Sequence, residues 1–313
     1  MKIVFMGTPD YAVPTLKTIV NDGHNVAAVF CQPDKPVGRK KILTPPAVKL
    51  CAEEFGIPVY QPDTVRSDEV YDTLCQINPD VIVVVAYGKI LPERILKLSK
   101  FGCINGHGSI LPKYRGAAPI QWAVINGEEE TGVTAMYMDK GIDTGDILQI
   151  AKTKIGEKET AEQLFDRLSI ITAQLLSDTL KKAEKGELKP VKQDESQATY
   201  APIINKEMAL IDFSRSAKDV FNAVRGFNSW PVAYCYFEGK RLKIFSCSVT
   251  EGHSENPGTV ICSDGQLVVA CGEGAVSFEE IQLEGSKRMS VADFLKGKTV
   301  AVGTVLTKGD SCG

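Results

Sequence analysis

The sequence predicts an α/β fold, a Rossmann-like parallel twisted sheet followed by a small OB-like β-barrel. Three observations carry that expectation. Apolar, β-prone runs alternate with stretches of helical spacing through the first half. A polar, proline-containing stretch without periodicity follows near residue 190. Beyond it, short alternating runs are joined by Glu-Gly and Asp-Gly turns.

In order, "KIVFMG" is an apolar run closed by glycine, "DYAVPTLKTIVNDGH" has helical spacing, and "VAAVFC" is β-prone again, which makes a β-α-β unit. The helical "PPAVKLCAEEFG", the "IPVY" strand and a polar helix over 67–77 continue the rhythm. "DVIVVVAYG" is uninterrupted, as a strand buried on both faces should be. "ETAEQLFDRLSIITAQLLSDTLKKAEKG" closes the half as a long helix. Thr160 and Gln163 are spaced as a capping box, and Leu164, Leu168, Ile171 and Leu175 form one apolar face. The first domain is expected over 1–189, a linker over 190–206 and a second domain over 207–313. That second domain begins with a helix capped by Ser216, then strands around the turns Glu238-Gly239 and Asp264-Gly265.

A chain of 313 residues, 43% hydrophobic and 24% charged, has the composition of a globular protein of two domains. With a net charge of -3, a polyanionic partner has to be met by local basic patches. The nine cysteines include no C-x-x-C pair, which supplies neither a disulfide framework nor zinc-ligand spacing. Reduced core thiols in a cytoplasmic protein are expected, with no metal. No apolar run reaches bilayer length, and the start of the chain enters a strand without the features of a signal peptide. "GTPDYAVP" is not a dinucleotide-binding glycine fingerprint.

The chemistry centres on "CINGHGSILPKYRG". Asn105 and His107 project to one side if the segment is extended, at the carboxyl-end rim where ligands sit on such sheets. Asp143, between Gly141 and Gly145, lies in a loop that could return a carboxylate to the imidazole. Such a trio suits acyl transfer. Asn105 donates to a developing oxyanion, His107 donates to it or relays a proton, and Asp143 orients the ring and favours its charged form. With Ser109 the only nearby hydroxyl and Cys103 expected in the core, direct transfer is favoured over a covalent enzyme intermediate. A histidine merely hydrogen-bonded in a loop is the alternative. His24 and His253 are expected to be solvated, and Trp122 and Trp230 to pack.

At these residues the sequence resembles the folate-dependent formyltransferases. The motifs are "N-x-H-x-S-I-L-P-x-x-x-G" from Asn105 to Gly116 and "G-I-D-T-G-D" from Gly141 to Asp146. "FMGTPDYAVPTL", "QPDKPVGRKK", "AYGKILP", "RGFNSWPVAY" and "EGSKRM" extend the likeness over nearly the whole chain. Gly106 and Gly108 stand where the family more often has Val and Ala, which predicts a looser site. The resemblance implies transfer of a formyl group from 10-formyltetrahydrofolate to the α-amino group of methionyl initiator tRNA, giving N-formylmethionyl-tRNA for translation initiation. It implies folate contacts at Ser109, Ile110, Leu111 and Pro112 and at Tyr87, Gly88, Ile90 and Leu91. It turns the basic run Arg39, Lys40 and Lys41, otherwise a solvated surface, into an element that reaches the tRNA acceptor arm. The barrel would hold further RNA through Lys240, Arg241, Lys243, Lys287 and Arg288, in a protein expected to act as a monomer. Two rivals are a formyltransferase for a sugar-nucleotide amine or glycinamide ribonucleotide, and a nonenzymatic RNA-binding module.

Overall fold

The computed structural model describes residues 1–38, 40–251 and 255–307. Arg39, His253 and Cys312 lie outside the described residues. The chain divides into two compact units. The first gathers Met1–Pro119, Glu130–Lys154 and Phe165–Ala201; the second gathers Ile120–Glu129, Ile155–Leu164 and the chain from Pro202 onward.

In the first unit β1 (Lys2–Gly7), α1 (Val13–Asn21) and β2 (Asn25–Phe30) form the expected β-α-β unit. Then follow α2 (Ala47–Glu54), β3 (Val59–Tyr60), α3 (Asp68–Ile77), β4 (Val81–Val85) and β5 (Cys103–His107). After α4 (Pro119–Ile125) come β6 (Glu130–Tyr137), β7 (Ile147–Lys154) and α5 (Ala161–Lys185). The sheet order is β7-β6-β5-β4-β1-β2-β3. The five strands from β3 to β5 along that order are parallel, and β6 and β7 run antiparallel at the edge. β4, "VIVVV", is buried at every position, as its unbroken apolar run predicts. Because β1 leads one way to β2 and the chain returns to β4 on its other side, the carboxyl ends of β1 and β4 flank a switch point in the topology.

Between Lys35–Val37 and Ile42–Thr44 the chain forms a two-stranded antiparallel ribbon, where the sequence reading has only a loop. Three-residue strands, one of them containing a proline, carry too little periodicity to be recognised. The base of the ribbon is pinned by Asp34, which accepts from Lys49 Nζ at 3.1 Å and from Gln61 Nε2 at 2.7 Å. Those hydrogen bonds, Gln61 first, hold the Asp34 carboxyl below its usual range.

Thr160 and Gln163 exchange the two hydrogen bonds of a capping box at the start of α5. In the second unit Ser216 caps α6 (Ala217–Gly226) by accepting from the Asp219 amide. Five antiparallel strands follow: β8 (Tyr234–Phe237), β9 (Lys240–Thr250), β10 (Val260–Cys262), β11 (Leu267–Ala270) and β12 (Ala275–Leu283). They pair in the order β8-β9-β12-β11-β10 as a curled half-barrel, and register shifts near Ser246 bend β9. Glu238 and Gly239 both take positive φ, the geometry of a tight hairpin turn.

Two packing expectations are corrected. His24 is not solvated: its side chain is buried and Nδ1 lies 3.2 Å from the Met1 amino group, and burial pushes the imidazole pKa down. Trp230 does not pack inside, being 55% exposed. The cysteines are free thiols among the described residues, six of them buried.

Candidate active site

Strand alternation puts Asn105 and His107 on one face of β5 and Gly106 on the other. Gly106 faces α5, where a Cβ would come within 2.7 Å of Thr172 Cγ2 and 3.0 Å of Leu176 Cδ1. The glycine therefore admits the helix rather than loosening the strand. Thr172 is held there by Tyr11 Oη at 2.8 Å and by the Leu168 carbonyl. We expect Gly106→Ala to lower stability by about 1 kcal/mol or more through overpacking. Thr172→Ser, which removes the offending methyl and keeps the hydroxyl, should restore most of it. Urea unfolding of the three variants checks this, and an unaltered midpoint for Gly106→Ala would refute the packing argument.

Asn105 and His107 are 9% and 6% exposed. His107 Nε2 lies 2.9 Å from the Tyr114 carbonyl oxygen, which can only accept, so this nitrogen carries a hydrogen. Nδ1 faces Asp143 Oδ2 at 3.5 Å. The same carboxylate oxygen accepts from the Gly116 amide at 2.9 Å. The structure thus brings His107 and Asp143 together, with Asn105 two residues earlier on the same face of the strand. Asp143 has a φ of 55°, the left-handed region that a residue with a Cβ occupies at a cost. Its loop is built to impose this. Asp139 accepts from the Gly141 amide and Thr144 Oγ1, and a Cβ on Gly145 would fall 1.8 Å from the Tyr137 carbonyl oxygen.

The segment after β5 is folded by its own polar groups. Ser109 is fully buried, and its hydroxyl donates to the Lys113 carbonyl at 2.6 Å. Thr134 Oγ1 donates to the Ser109 carbonyl and accepts from the Leu111 amide. Leu111 is buried, while Ile110 and Pro112 remain half-exposed. In the loop after β4, Tyr87 and Leu91 turn into the core cluster with Met6, Phe30 and Val84. Gly88 and Ile90 face outward. This loop is tied to its neighbours: the Tyr87 carbonyl accepts from Thr8 Oγ1 and Gln32 Nε2, and Lys89 Nζ donates to the Pro62 and Asp63 carbonyls.

Sequence reasoning missed a further set of residues. The Arg115 side chain is completely buried; it donates to Gln193 Oε1 and to both carboxylate oxygens of Glu195. Gln193 Nε2 donates to the carbonyls of Asp143 and Gly145, both at 2.8 Å. Tyr200–Ala201 pairs in parallel with Arg115–Gly116. A run such as "KQDES" has no periodicity to announce this, and nothing local marks Arg115 as buried.

A formyl transferase family model matches residues 1–180, and a formyl transferase C-terminal domain model matches residues 203–299. The methionyl-tRNA formyltransferase of Citrifermentans bemidjiense is 49% identical over 312 residues, covering 99% of this chain and 98% of that relative. The chain belongs to the methionyl-tRNA formyltransferase family. A second member of that family, from Caldanaerobacter subterraneus subsp. tengcongensis, is 50% identical over 98% of this chain and its own full length. The fold is shared more widely. A Helicobacter canadensis N-formyltransferase solved with folinic acid and dTDP-3-aminofucose superposes with a TM-score of 0.69 at 19% identity, over 92% of this chain and 100% of that one.

Among the described residues no group of three or more His, Cys, Asp or Glu side chains could hold a metal ion. No helix there is long and apolar enough to cross a membrane.

Proposed function

We propose that this chain transfers the formyl group of 10-formyltetrahydrofolate to the α-amino group of methionyl initiator tRNA. The observation that carries the reading is the grouping of Asn105, His107 and Asp143 at the carboxyl end of β5 and in the loop after β6. Residues 1–189 perform the transfer, 190–206 link, and 207–313 grip the RNA of a cytoplasmic, monomeric enzyme. The donor fits the residues present. Gly88 presents bare backbone, and exposed apolar Ile90 and Ile142, with half-exposed Ile110 and Pro112, offer surface for a flat, partly aromatic ligand.

The acceptor needs little help from a base, because a free α-amino group titrates at roughly 7.7 to 8.0. The donor supplies the formyl carbon. Asn105 donates a hydrogen bond to the oxyanion that develops when the amine attacks, and His107 turns from the Tyr114 carbonyl to donate a second. Asp143 holds the imidazole in place and stabilises a proton there; when the adduct collapses the carbon–N10 bond breaks, and the proton lost by the amine passes to N10 of the departing tetrahydrofolate. A donor carried on a strand face in a buried site, as Asn105 is, costs little reorganisation at the moment of reaction, whereas His107 first gives up the Tyr114 carbonyl.

The basic ribbon supports tRNA as the acceptor. Lys40 and Lys41 sit exposed at its tip, and Val37, Ile42 and Leu43 are each more than half exposed along it. Apolar side chains held outward beside cations suit a surface that another molecule covers. In the second unit, strand pairing sets Tyr234 opposite Lys243 and Tyr236 opposite Arg241 on one face, with Arg241 stacked over Tyr234 at 4.3 Å. Arg288 lies over Phe245 at 4.1 Å, and Lys240 and Lys287 are exposed nearby in sequence. Tyr234 is buried under Arg241, so the cations with half-buried Tyr236 and Phe245 are what this face offers to phosphates and unstacked bases.

Incubation with 10-formyltetrahydrofolate and charged initiator tRNA, beside charged elongator tRNA and amino sugars, tests the reading. Formylation of the initiator alone is expected. An amino sugar formylated in preference would favour the wider formyltransferase class instead.

A further inference from the structure

We propose that Gln193 is a positioning residue for formyl transfer, holding the backbone that carries Asp143 in the one conformation that aims its carboxylate at His107. The inference rests on the proposed role of Asp143. It concerns a residue within the segment that the sequence marks only as a linker.

A side-chain amide has two donor hydrogens and an acceptor oxygen with two lone pairs. At Gln193 all four are used. Oε1 accepts from Arg115 Nε at 3.1 Å and from Nη2 at 2.7 Å, while Nε2 donates to the carbonyls of Asp143 and Gly145 at 2.8 Å each. The amide therefore has only one workable orientation. Turned over, it would set its NH2 against guanidinium donors and its oxygen against two carbonyls. Arg115 is fixed in turn by paired hydrogen bonds to Glu195 at 2.8 Å, and its own side chain is fully buried. The backbone next to Arg115 completes the brace, since the Gly116 amide donates to Asp143 Oδ2.

Asp143 is thus gripped twice from one locus, on its carbonyl by Gln193 and on its carboxylate by Gly116. The grip offsets the cost of its φ of 55°, a left-handed conformation that a residue with a Cβ adopts less readily than the right-handed one. Released from Gln193, the loop relaxes and the carboxylate moves off the imidazole, and a displacement near 1 Å at a reacting group can cost about 100-fold in rate.

Gln193→Glu is nearly isosteric and keeps a partner for Arg115, but it sets an acceptor against the two carbonyls. Gln193→Met keeps the length and removes every polar contact. The full-length protein should be measured for kcat and KM with charged initiator tRNA, and for folate affinity. Each substitution should be made in the parent and in an Asp143→Asn background. We expect kcat to fall roughly 10- to 100-fold in the parent background with KM and folate affinity little changed. In the Asp143→Asn background the same substitution should change the rate by less than about 3-fold, because the group it positions is already gone. Near-parental kcat, or an equal loss in both backgrounds, would overturn the proposal. So would failure of both variants to fold, which would make Gln193 a purely structural residue. A parent that formylates no charged tRNA refutes the proposed function, whereas an active parent indifferent to Gln193 refutes this inference alone.

Discussion

His107→Ala lowers turnover by about 100-fold or more, and Asp143→Asn by a comparable factor, while folate affinity changes little, because both side chains act as charge develops in the transition state. The aspartate variant is the cleaner test. Asparagine tolerates the left-handed backbone, so the φ of 55° at position 143 is retained, and its amide oxygen can still accept from the Gly116 N–H. What disappears is the negative charge facing Nδ1 at 3.5 Å. Removing the imidazole leaves the Tyr114 carbonyl without its 2.9 Å donor, so folding of that variant is checked by thermal melting. Single-turnover rates with saturating folate and charged tRNA separate chemistry from binding. Near-normal turnover in either variant would remove this mechanism.

Much of this site is legible in the sequence because strand alternation is a rigid rule. Asn105 and His107, two apart in "CINGH", could face one spot only if the segment is extended, and it is. The β-α rhythm was readable for the same reason, down to the all-buried β4. The capping box of α5 and the tight turn at Glu238-Gly239 are short-range chemistry and read equally well. What escaped depends on contacts between distant positions. Gln193 meets Asp143 50 residues away and Arg115 78 residues away, and no local pattern encodes either distance. Ser109 shows a local role that the sequence does not announce. A serine beside the histidine suggests a ligand contact, yet the structure turns its hydroxyl inward to the Lys113 carbonyl, where it shapes the loop. Gly106, suggestive of looseness, marks the close approach of α5, which only a fold with that helix behind β5 can reveal.

Replacing Arg39, Lys40 and Lys41 together by Ala should weaken binding of charged initiator tRNA roughly 10- to 100-fold near 0.1 M salt and flatten its salt dependence. Each phosphate contact contributes about 0.7 to 0.9 of a unit to the slope of log K against log salt, so losing three removes up to about 2.7 units. The fold should not suffer. Lys40 and Lys41 are exposed at the tip of the ribbon, and its base is held by Asp34, Lys49 and Gln61, which stay intact. Folate affinity should match the parent, which separates lost RNA contacts from a damaged site. The net charge of -3 makes the measurement decisive, because the chain has no overall positive field to mask the loss of three cations. A second variant, with Val37, Ile42 and Leu43 changed to Ser, should weaken binding with an unchanged slope, since apolar contacts release no counterions. Superimposable salt curves for the parent and the charge variant would mean that the ribbon is a solvated surface. The choice of tRNA over a smaller amine acceptor would then rest on the second unit's cation-and-ring face.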